Sequence, residues 1–193
     1  MPNVVLVVDM VRGFLEPGHN LYCGDAAREI IPKVQELLKR ETEAGSQVLF
    51  ISDHHDPDDL EFQTFPVHCV KGTEEPDVIS ELSRFVTPSS VTPSPGTPPP
   101  VTPVTGTPFN VVPKNRYSGF FNTDLEQRLE RLNPDKLVIC GVCTDICVLH
   151  TTSDARNRDY TVEVPRDCVA SFDPEAHQWA LRHLQRILGA KVV

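Results

Sequence analysis

The stretch KLVICGVCTDICVLHT, residues 136–151, passes from a short apolar run directly into a helical pattern. Its first part, residues 136–140, is apolar on both faces of a strand, and strands of that kind belong to parallel sheets that helices cover on both sides. The second part begins a predicted helix over residues 144–158. A strand followed at once by a helix is the repeating unit of an α/β fold.

The same alternation extends along the chain in both directions from this stretch. Apolar runs rich in β-branched residues predict strands at residues 3–8, 47–51, 109–112 and 160–164, and residues 190–193 are a candidate for the last strand. Amphipathic runs between them predict helices. The pattern predicts a three-layer α/β/α fold with a mainly parallel sheet of Rossmann-like topology.

Two of the predicted helices have clear end signals. Residues 25–44 carry an apolar stripe that ends at Gly45, although Pro32 lies inside the pattern and can shift the start of the helix. Thr123 and Glu126 have the spacing of a capping box, which predicts a helix that begins just after Thr123.

Composition and charge restrict the class of protein. The chain has 193 residues, of which 39% are hydrophobic and 23% charged, which suits one soluble domain that folds without a disulfide. A formal net charge of −9 argues against a nucleic-acid partner, which requires clustered lysine and arginine. No apolar run approaches the roughly 20 residues of a membrane span, and no targeting segment is visible. Six cysteines without a secretion signal predict free thiols in a reducing cytoplasm.

One segment interrupts the α/β pattern. Residues 87–108 repeat the dipeptide Thr-Pro at positions 87, 92, 97, 102 and 107. Proline at this density excludes a helix or a central strand, and the segment has no large apolar residue to bury. We predict a single domain over residues 1–193 in which this insert is a mobile, polyproline-like surface loop. A docking site for a proline-recognising partner is the alternative.

Three polar residues lie at the ends of predicted strands. Asp9 ends the first strand, Lys114 follows the strand at residues 109–112, and Cys147 follows the strand at residues 136–140. Ligands of open α/β sheets bind at the carboxyl ends of the strands, so these side chains can meet at one site. Each also has an ordinary explanation, as a helix cap, a surface charge and a small core residue.

Together, these three residue types suffice for acyl transfer. A thiol near a helix N-terminus and beside an ammonium is favoured as a thiolate, and a carboxylate can accept its proton. The sulfur can then attack a carbonyl carbon. Asp9, Lys114 and Cys147 therefore predict a cysteine hydrolase that needs no histidine as base.

Three blocks of sequence carry a resemblance to a known family. VLVVDM at residues 5–10, KNRYSGF at 114–120 and GVCTDICVLHT at 141–151 resemble, in this order, the signature blocks of the isochorismatase-like cysteine hydrolases. The resemblance covers nearly the whole chain outside the Thr-Pro insert. It departs from the family pattern after Asp9, where Met-Val-Arg-Gly-Phe at residues 10–14 replaces the usual Met-Gln-x-Asp-Phe.

The resemblance assigns roles to the candidate residues. It implies that Asp9, Lys114 and Cys147 are the catalytic triad. It also implies a cis peptide bond before Cys143, and an oxyanion hole formed by the backbone amides of Cys143 and Cys147. The thiol of Cys143 is expected to take no part in the reaction.

A second group of candidates lies in SDHHDPDDLEFQTFPVHC, residues 52–69. Asp53 and His55 can converge on one ion if they leave a strand end in an extended conformation, and His68 supplies a second imidazole from the next loop. A carboxylate with two imidazoles suits zinc, manganese or iron. A loop rich in histidine and aspartate is, however, more often simply solvated, so both interpretations stay open on residue type alone.

The resemblance favours the metal site. Asp-x-His followed by an aromatic-Pro-x-His run is similar to the metal site of nicotinamidases, also called pyrazinamidases, which are a branch of the family. It implies one divalent ion on Asp53, His55 and His68, zinc first and manganese or iron as alternatives, with Glu61 as a candidate fourth ligand. The ion would hold the pyridine nitrogen of the substrate, and aromatic walls would flank the ring at Phe14, Phe65 and Tyr117.

The implied function is hydrolysis of nicotinamide to nicotinate and ammonia, through a thioester on Cys147, as a step of NAD salvage. The expected partners are this small-molecule substrate and further copies of the chain in a homo-oligomer, with no nucleic acid and no membrane. A first alternative is an isochorismatase-like hydrolase that acts on another small amide or on an enol ether. A second is a non-enzymatic metal or redox module, although the spacing of Cys140, Cys143 and Cys147 suits neither a zinc knuckle nor a Cys-x-x-Cys motif.

Overall fold

Residues 2–88 and 108–193 are described by the computed structural model, and in them seven strands form one sheet. The strands are β1 (Val4–Val8), β2 (Gln47–Asp53), β3 (Val111–Lys114), β4 (Leu137–Val142), β5 (Val162–Val164), β6 (Val169–Ala170) and β7 (Lys191–Val192). They are hydrogen-bonded in the order β3-β2-β1-β4-β5-β7, with β6 beside the end of β4, and all paired strands run parallel. The predicted parallel sheet is confirmed.

The segments between the strands are mainly helical. The α-helices of the described residues are α1 (Arg12–Leu15), α2 (Asp25–Arg28), α3 (Ile31–Glu43), α4 (Leu125–Leu132), α5 (Leu149–Asn157) and α6 (Pro174–Arg186). Shorter helical turns of 3₁₀ type lie at Leu60–Gln63, Ser80–Phe85 and Arg166–Cys168, and a π-helical turn lies at Thr144–Val148. Within residues 2–88 and 108–193, none of the helices combines the length and the apolar character needed to cross a membrane.

The side chains of β1 alternate between two hydrophobic cores, one on each face of the sheet. Val5 and Val7 belong to the first core, which α3 covers through Val34 and its neighbours. Val4, Leu6 and Val8 belong to the second core, which α4, α5 and α6 cover. Helices therefore pack on both faces of the sheet, and the three-layer architecture agrees with the prediction.

The predicted helix over residues 25–44 is in fact two helices. α2 ends at Arg28, and α3 begins at Ile31 with Pro32 in its first turn. Proline is favoured there because the N–H that it lacks would have no partner within the helix. Inside a longer helix it would remove a hydrogen bond and collide with the preceding turn. The prediction of one continuous helix is therefore wrong.

The predicted capping box before α4 is also wrong. The N-cap residue is Asp124, and Glu126 pairs with Arg158 instead of the helix end. Thr123 Oγ1 accepts a hydrogen bond from Leu125 N at 3.2 Å and donates one to the Gly119 carbonyl. Thr123 therefore accepts from the first N–H of α4 and joins it to the preceding turn, without the reciprocal contact from Glu126 that a capping box requires.

Two strands end later in the chain than predicted, and these ends carry residues of the site. β3 is shifted toward the C-terminus relative to residues 109–112, and β2 continues beyond Ile51. As a result, Asp53 and Lys114 are themselves the last residues of β2 and β3, and they are paired across the sheet. The two-residue strand β6 escaped prediction because it is too short to give a hydrophobic pattern.

The Thr-Pro insert lies almost wholly outside the described residues, which stop at residue 88 and resume at residue 108. Hydrogen bonds join its two described ends. Phe109 N donates to the Thr87 carbonyl at 2.9 Å, and Thr87 N donates to Asn110 Oδ1 at 2.7 Å. Asn110 Nδ2 in turn donates to the carbonyls of Val48 and Phe85 at 3.1 Å and 2.9 Å. The insert therefore begins and ends beside the edge of the sheet at β2 and β3.

Gly141 brings β4 close to β1 beside the predicted site. It has a φ of +112°, and a Cβ placed there would lie 1.9 Å from the Val8 carbonyl oxygen. A larger residue would collide with the backbone of β1 in addition to its unfavourable φ. Because Val8 and Gly141 are paired, this glycine sets the distance between Asp9 and the turn that begins at Cys143.

Candidate active site

Four adjacent strands bring the predicted triad together at their carboxyl ends. The buried Lys114 ammonium is the meeting point of the group. Its Nζ lies 2.9 Å from Asp9 Oδ2, pairs with the Asp53 carboxylate, and donates a hydrogen bond to Cys147 Sγ at 3.6 Å. All four side chains are buried. The arrangement places a thiol, an ammonium and a carboxyl group within contact of one another, as acyl transfer requires.

Asp9 is held by the backbone on both sides. It has a φ of 51°, its N–H donates to the Ile51 carbonyl at 2.8 Å, and its Oδ1 accepts from Asp53 N at 3.0 Å. Burial, followed by the neighbouring charge of Asp53, raises the pKa of Asp9 to about 7 against the opposing effect of Lys114. A carboxyl group with such a pKa can accept a proton and return it near neutral pH.

Lys114 and Asp53 form the charged pair at the centre of the site. Burial acts against the ammonium, but the carboxylates of Asp53 and Asp9 outweigh it and hold the pKa of Lys114 well above its usual value. Burial likewise acts against the Asp53 carboxylate, but Lys114 and the two nearby imidazoles hold the pKa of Asp53 well below its usual value. Both groups therefore remain ionised.

The surroundings of Cys147 favour the protonated thiol, whereas the sequence predicted that they favour the thiolate. Burial is the largest effect and raises the pKa of Cys147 well above its usual value, although Lys114 acts in the opposite direction. The carboxylates of Asp9 and Asp53 add to the effect of burial. The thiol therefore keeps its proton until a neighbouring group accepts it, and Asp9 is the carboxyl group in contact with it.

The turn that carries Cys147 is built on Cys143. The Val142–Cys143 peptide bond is cis, as the family resemblance implied. The Cys143 carbonyl accepts hydrogen bonds from the N–H groups of Ile146 and Val148, both at 3.1 Å, in the π-helical turn that precedes α5. The use of the Cys143 and Cys147 amides as an oxyanion hole stays a prediction.

Asp53, His55 and His68 form the predicted metal cluster. One ligand atom from each residue lies within 4.8 Å of the others, and all three residues are buried. Asp53 Oδ2 is 3.6 Å from His55 Nε2 and 3.7 Å from His68 Nε2. These distances are too long for hydrogen bonds and suit three ligands arranged around a shared ion.

Outer contacts leave both imidazoles ready to bind an ion. His68 Nδ1 is 2.7 Å from the Pro66 carbonyl, and His55 Nδ1 is 3.0 Å from Asp59 Oδ2, so Nδ1 donates in each ring. In the neutral form of each ring, Nε2 then keeps the lone pair that can bind an ion. His55 Nε2 is buried without a hydrogen-bond partner among the described residues. An unpartnered, buried lone pair beside a carboxylate fits a divalent metal ion.

Two further residues of the loop are of a type that can bind a metal ion. Glu61 lies at the margin of the cluster, with Oε1 at 4.0 Å from His68 Nε2, and burial raises its pKa. It therefore remains a candidate fourth ligand rather than a member of the tight group. His54 Nδ1 lies 3.1 Å from the Ser52 carbonyl, and of the two adjacent histidines only His55 belongs to the cluster.

A cavity of about 300 Å³ lies beside both groups. Its size is at the lower end of the range for small-molecule sites. Its lining includes the predicted nucleophile, three candidate ligands and the three predicted wall residues, namely Cys147, Asp53, Glu61, His68, Phe14, Phe65 and Tyr117. The ring of Phe65 is edge-on to that of Tyr117, with centroids 6.4 Å apart. The cavity therefore presents aromatic faces and polar groups to one small ligand.

Several residues contribute to this site without any signal in the sequence. Asp59 and Arg116 form an ion pair behind His55, and Cys23 and Phe172 line the cavity. Asp59 lies four positions after His55, but in a loop this spacing does not indicate contact. Cys23 Sγ lies 3.5 Å from Cys143 Sγ, a contact between residues far apart in the chain that no local pattern reveals.

Comparison with known proteins gives the family. The model of the isochorismatase domain matches residues 3–92 and 98–193 of the chain. The chain belongs to the isochorismatase family. Its parallel seven-stranded sheet agrees with that assignment, and membership of the family makes the chain a hydrolase.

Solved structures of amidases are similar to the chain over its whole length. The nicotinamidase PncA of Bacillus subtilis is 34% identical, with a TM-score of 0.83, over 100% of this chain and 99% of that one. The N-carbamoylsarcosine amidase of Thermoplasma acidophilum is 30% identical, with a TM-score of 0.77, over 100% and 95% of the two chains. The pyrazinamidase of Pyrococcus horikoshii, in complex with zinc, is 28% identical, with a TM-score of 0.79, over 100% and 99%.

Proposed function

We propose that this member of the isochorismatase family is a nicotinamidase-type amidohydrolase, which converts nicotinamide into nicotinate and ammonia. The observation that carries the proposal is the position of Lys114 Nζ, which contacts Asp9, Cys147 and Asp53 together. One ammonium thus contacts both the Cys147 thiol and a candidate metal ligand, Asp53. Cys147 and Asp53 line the same cavity. The similarity to a nicotinamidase and to a zinc-bound pyrazinamidase supports this assignment.

The substrate ring would lie between the aromatic walls at Phe14, Phe65 and Tyr117. Asp53, His55 and His68, with Glu61 at the margin, would hold one divalent ion, zinc before manganese or iron. Bound there, the ion would supply a Lewis acid for the pyridine nitrogen. The amide at the 3-position of the ring, meta to that nitrogen, would then face Cys147.

Acylation uses Asp9 as proton carrier. The Cys147 proton passes to Asp9 while the sulfur attacks the amide carbon. Backbone N–H groups of Cys143 and Cys147 donate to the resulting oxyanion. The C–N bond then breaks, the proton on Asp9 passes to the departing nitrogen, and ammonia leaves. A thioester remains on Cys147.

Deacylation reverses the direction of proton transfer. A water molecule attacks the thioester carbon and gives a proton to Asp9, and the C–S bond breaks as the proton returns to Cys147. Throughout both stages, the Lys114 charge favours the ionised form of Asp9 and of the sulfur. Nicotinate leaves and the thiol is restored, which would place the enzyme in pyridine nucleotide salvage.

A second candidate function keeps the hydrolase and changes the substrate to another small amide. The similarity to an N-carbamoylsarcosine amidase at 30% identity favours it. In that case the cavity would accept an N-carbamoyl group, and no ring nitrogen would be needed for binding.

Ammonia release from three amides tests the proposal. Purified protein of known metal content is assayed with nicotinamide, benzamide and N-carbamoylsarcosine, and Cys147→Ala serves as the inactive control. Benzamide has the ring and the amide but lacks the ring nitrogen. We expect nicotinamide to be the best substrate and benzamide a poor one. Equal turnover of nicotinamide and benzamide by metal-free protein, or a preference for N-carbamoylsarcosine, would overturn the proposal.

A further inference from the structure

The geometry points to Asp59, supported by Arg116, as a positioning residue that orients His55 for metal binding. The inference rests on the proposed function only in requiring that the cluster of Asp53, His55 and His68 binds a divalent ion. It does not depend on which amide is hydrolysed.

Asp59 fixes the orientation of the His55 ring. Its side chain is only 4% exposed, and its Oδ2 lies 3.0 Å from His55 Nδ1. A carboxylate can only accept at this distance, so His55 Nδ1 carries a hydrogen. In the neutral ring, which is the form that binds a metal ion, Nε2 then presents its lone pair. That Nε2 atom is the one that faces Asp53 at 3.6 Å and has no hydrogen-bond partner in the described part of the chain.

Arg116 holds the Asp59 carboxylate in place. Arg116 Nη1 lies 2.8 Å from Asp59 Oδ1 and 3.1 Å from Asp59 Oδ2, and 3.8 Å from Glu61 Oε2. Arg116 follows β3 between Lys114 and Tyr117. The pair therefore connects the metal loop with the segment that carries the central ammonium and one wall of the cavity.

Asp59 has a second task, which the experiment must separate from the first. Its Oδ1 accepts a hydrogen bond from Glu61 N at 2.9 Å and so caps the 3₁₀ turn Leu60–Gln63. The outer contact of His68 cannot be removed by mutation, because His68 Nδ1 contacts the backbone carbonyl of Pro66. His55 is thus the ligand whose outer contact can be altered by mutation.

The discriminating variant is Asp59→Ser. Serine is a good cap and can still accept from Glu61 N, but its side chain is too short to contact His55 and Arg116 as well. The matched control is Asp56→Ser, which removes an exposed carboxylate of the same loop that pairs with Lys71. Zinc affinity is measured by competition with a chromophoric chelator, bound zinc by elemental analysis, and the melting temperature on the chelator-treated proteins.

We expect Asp59→Ser to weaken zinc binding by roughly 10–100-fold, the effect typical of losing an outer partner of a ligating histidine. Asp56→Ser should keep the zinc affinity and the metal-free melting temperature of the unmodified protein. Metal-free Asp59→Ser should still melt cooperatively, although at a lower temperature, because it loses the partners of a buried carboxylate. Arg116→Gln should weaken zinc binding in the same direction but less, because Asp59 remains.

Unchanged zinc affinity in Asp59→Ser, or an equal loss in Asp56→Ser, would overturn the inference. If Asp59→Ser is insoluble, Arg116→Gln decides, and unchanged affinity in that variant has the same meaning. An unmodified protein that binds no zinc would overturn both this inference and the proposed metal site. Stoichiometric zinc without turnover of nicotinamide would overturn the proposed substrate alone.

Discussion

Asp53 and Lys114 are paired in parallel register at the last positions of β2 and β3, and their side chains form an ion pair. The other carboxylate oxygen of Asp53 faces both imidazoles of the metal cluster. Asp53 therefore belongs to two groups, the ammonium beside the thiol and the candidate metal ligands. Any change of charge in one group acts on the other over these short distances.

Replacing Lys114 with Met should destabilise the protein strongly. The change keeps an unbranched side chain of similar length but leaves the carboxylates of Asp9 and Asp53 buried without their counter-ion. Breaking a buried ion pair in this way typically costs about 3–5 kcal/mol. We expect a loss of that size in the free energy of unfolding of the metal-free protein, measured by urea denaturation.

Lys136→Met is the control for this measurement. Lys136 also pairs with a carboxylate, Glu163 Oε2 at 3.0 Å, but its side chain is 31% exposed. Removal of a surface pair should change the free energy of unfolding by less than about 1 kcal/mol. If the two variants lose the same free energy of unfolding, the buried ion pairs of Lys114 are no more important for stability than a surface pair. That result would contradict the prediction.

Cys147→Ala should abolish ammonia release, whereas Cys143→Ala should lose little. The two thiols line the same cavity, but in the described residues only the sulfur of Cys147 contacts the Lys114 ammonium. The assay compares turnover of both variants. Intact mass counts the molecules of a thiol-reactive substrate analogue that are bound, and peptide mass mapping locates them. The analogue should modify Cys147 alone. Modification chiefly at Cys140 or Cys143 would remove the basis for naming Cys147 the nucleophile.

Local sequence signals predicted the strands and the triad because both follow from short patterns. The apolar runs at Val4–Val8 and Leu137–Val142 are too apolar for any position except the centre of a covered sheet. Their carboxyl ends lie at one edge of a parallel sheet, which places Asp9 and Cys147 close together. The errors occurred where one residue decides a helix end, as at Pro32 and Thr123.

Other features depend on contacts that no local pattern contains. Arg116 and Asp59 lie 57 positions apart, and their pairing depends on how two loops approach each other. The direction of the Cys147 pKa shift depends on burial, whereas the sequence reveals only the neighbouring charges and the helix that follows. The sequence thus indicated the candidate triad and metal ligands, but neither their outer contacts nor the electrostatic balance among them.

Loss of one imidazole should weaken substrate binding more than it affects the thiol. His68→Ala removes a ligand of the predicted ion and should raise KM for nicotinamide and lower the bound metal, because the ring nitrogen loses its partner. Cys147 should still react with small alkylating agents. The measurements are steady-state kinetics, elemental analysis and the rate of alkylation.

His54→Ala is the matched control, since His54 lies in the same loop but outside the cluster. It should keep the metal content and KM of the unmodified protein. Equal effects of the two substitutions would indicate disruption of the loop rather than loss of a ligand. A His68→Ala protein that keeps both stoichiometric metal and normal KM would falsify the assignment of His68.

Deletion of residues 89–105 should leave folding and turnover nearly unchanged. The described ends of the insert are already joined by hydrogen bonds between Thr87, Phe109 and Asn110, and closure entropy varies only slowly with loop length. Asn110→Ala, which removes those side-chain bonds, should instead lower the free energy of unfolding by about 1–3 kcal/mol, because it leaves buried backbone groups unpaired. Ammonia release and urea denaturation measure both variants. A loss of turnover above about tenfold in the deletion, equivalent to about 1.4 kcal/mol of barrier, would mean that the insert shapes the site.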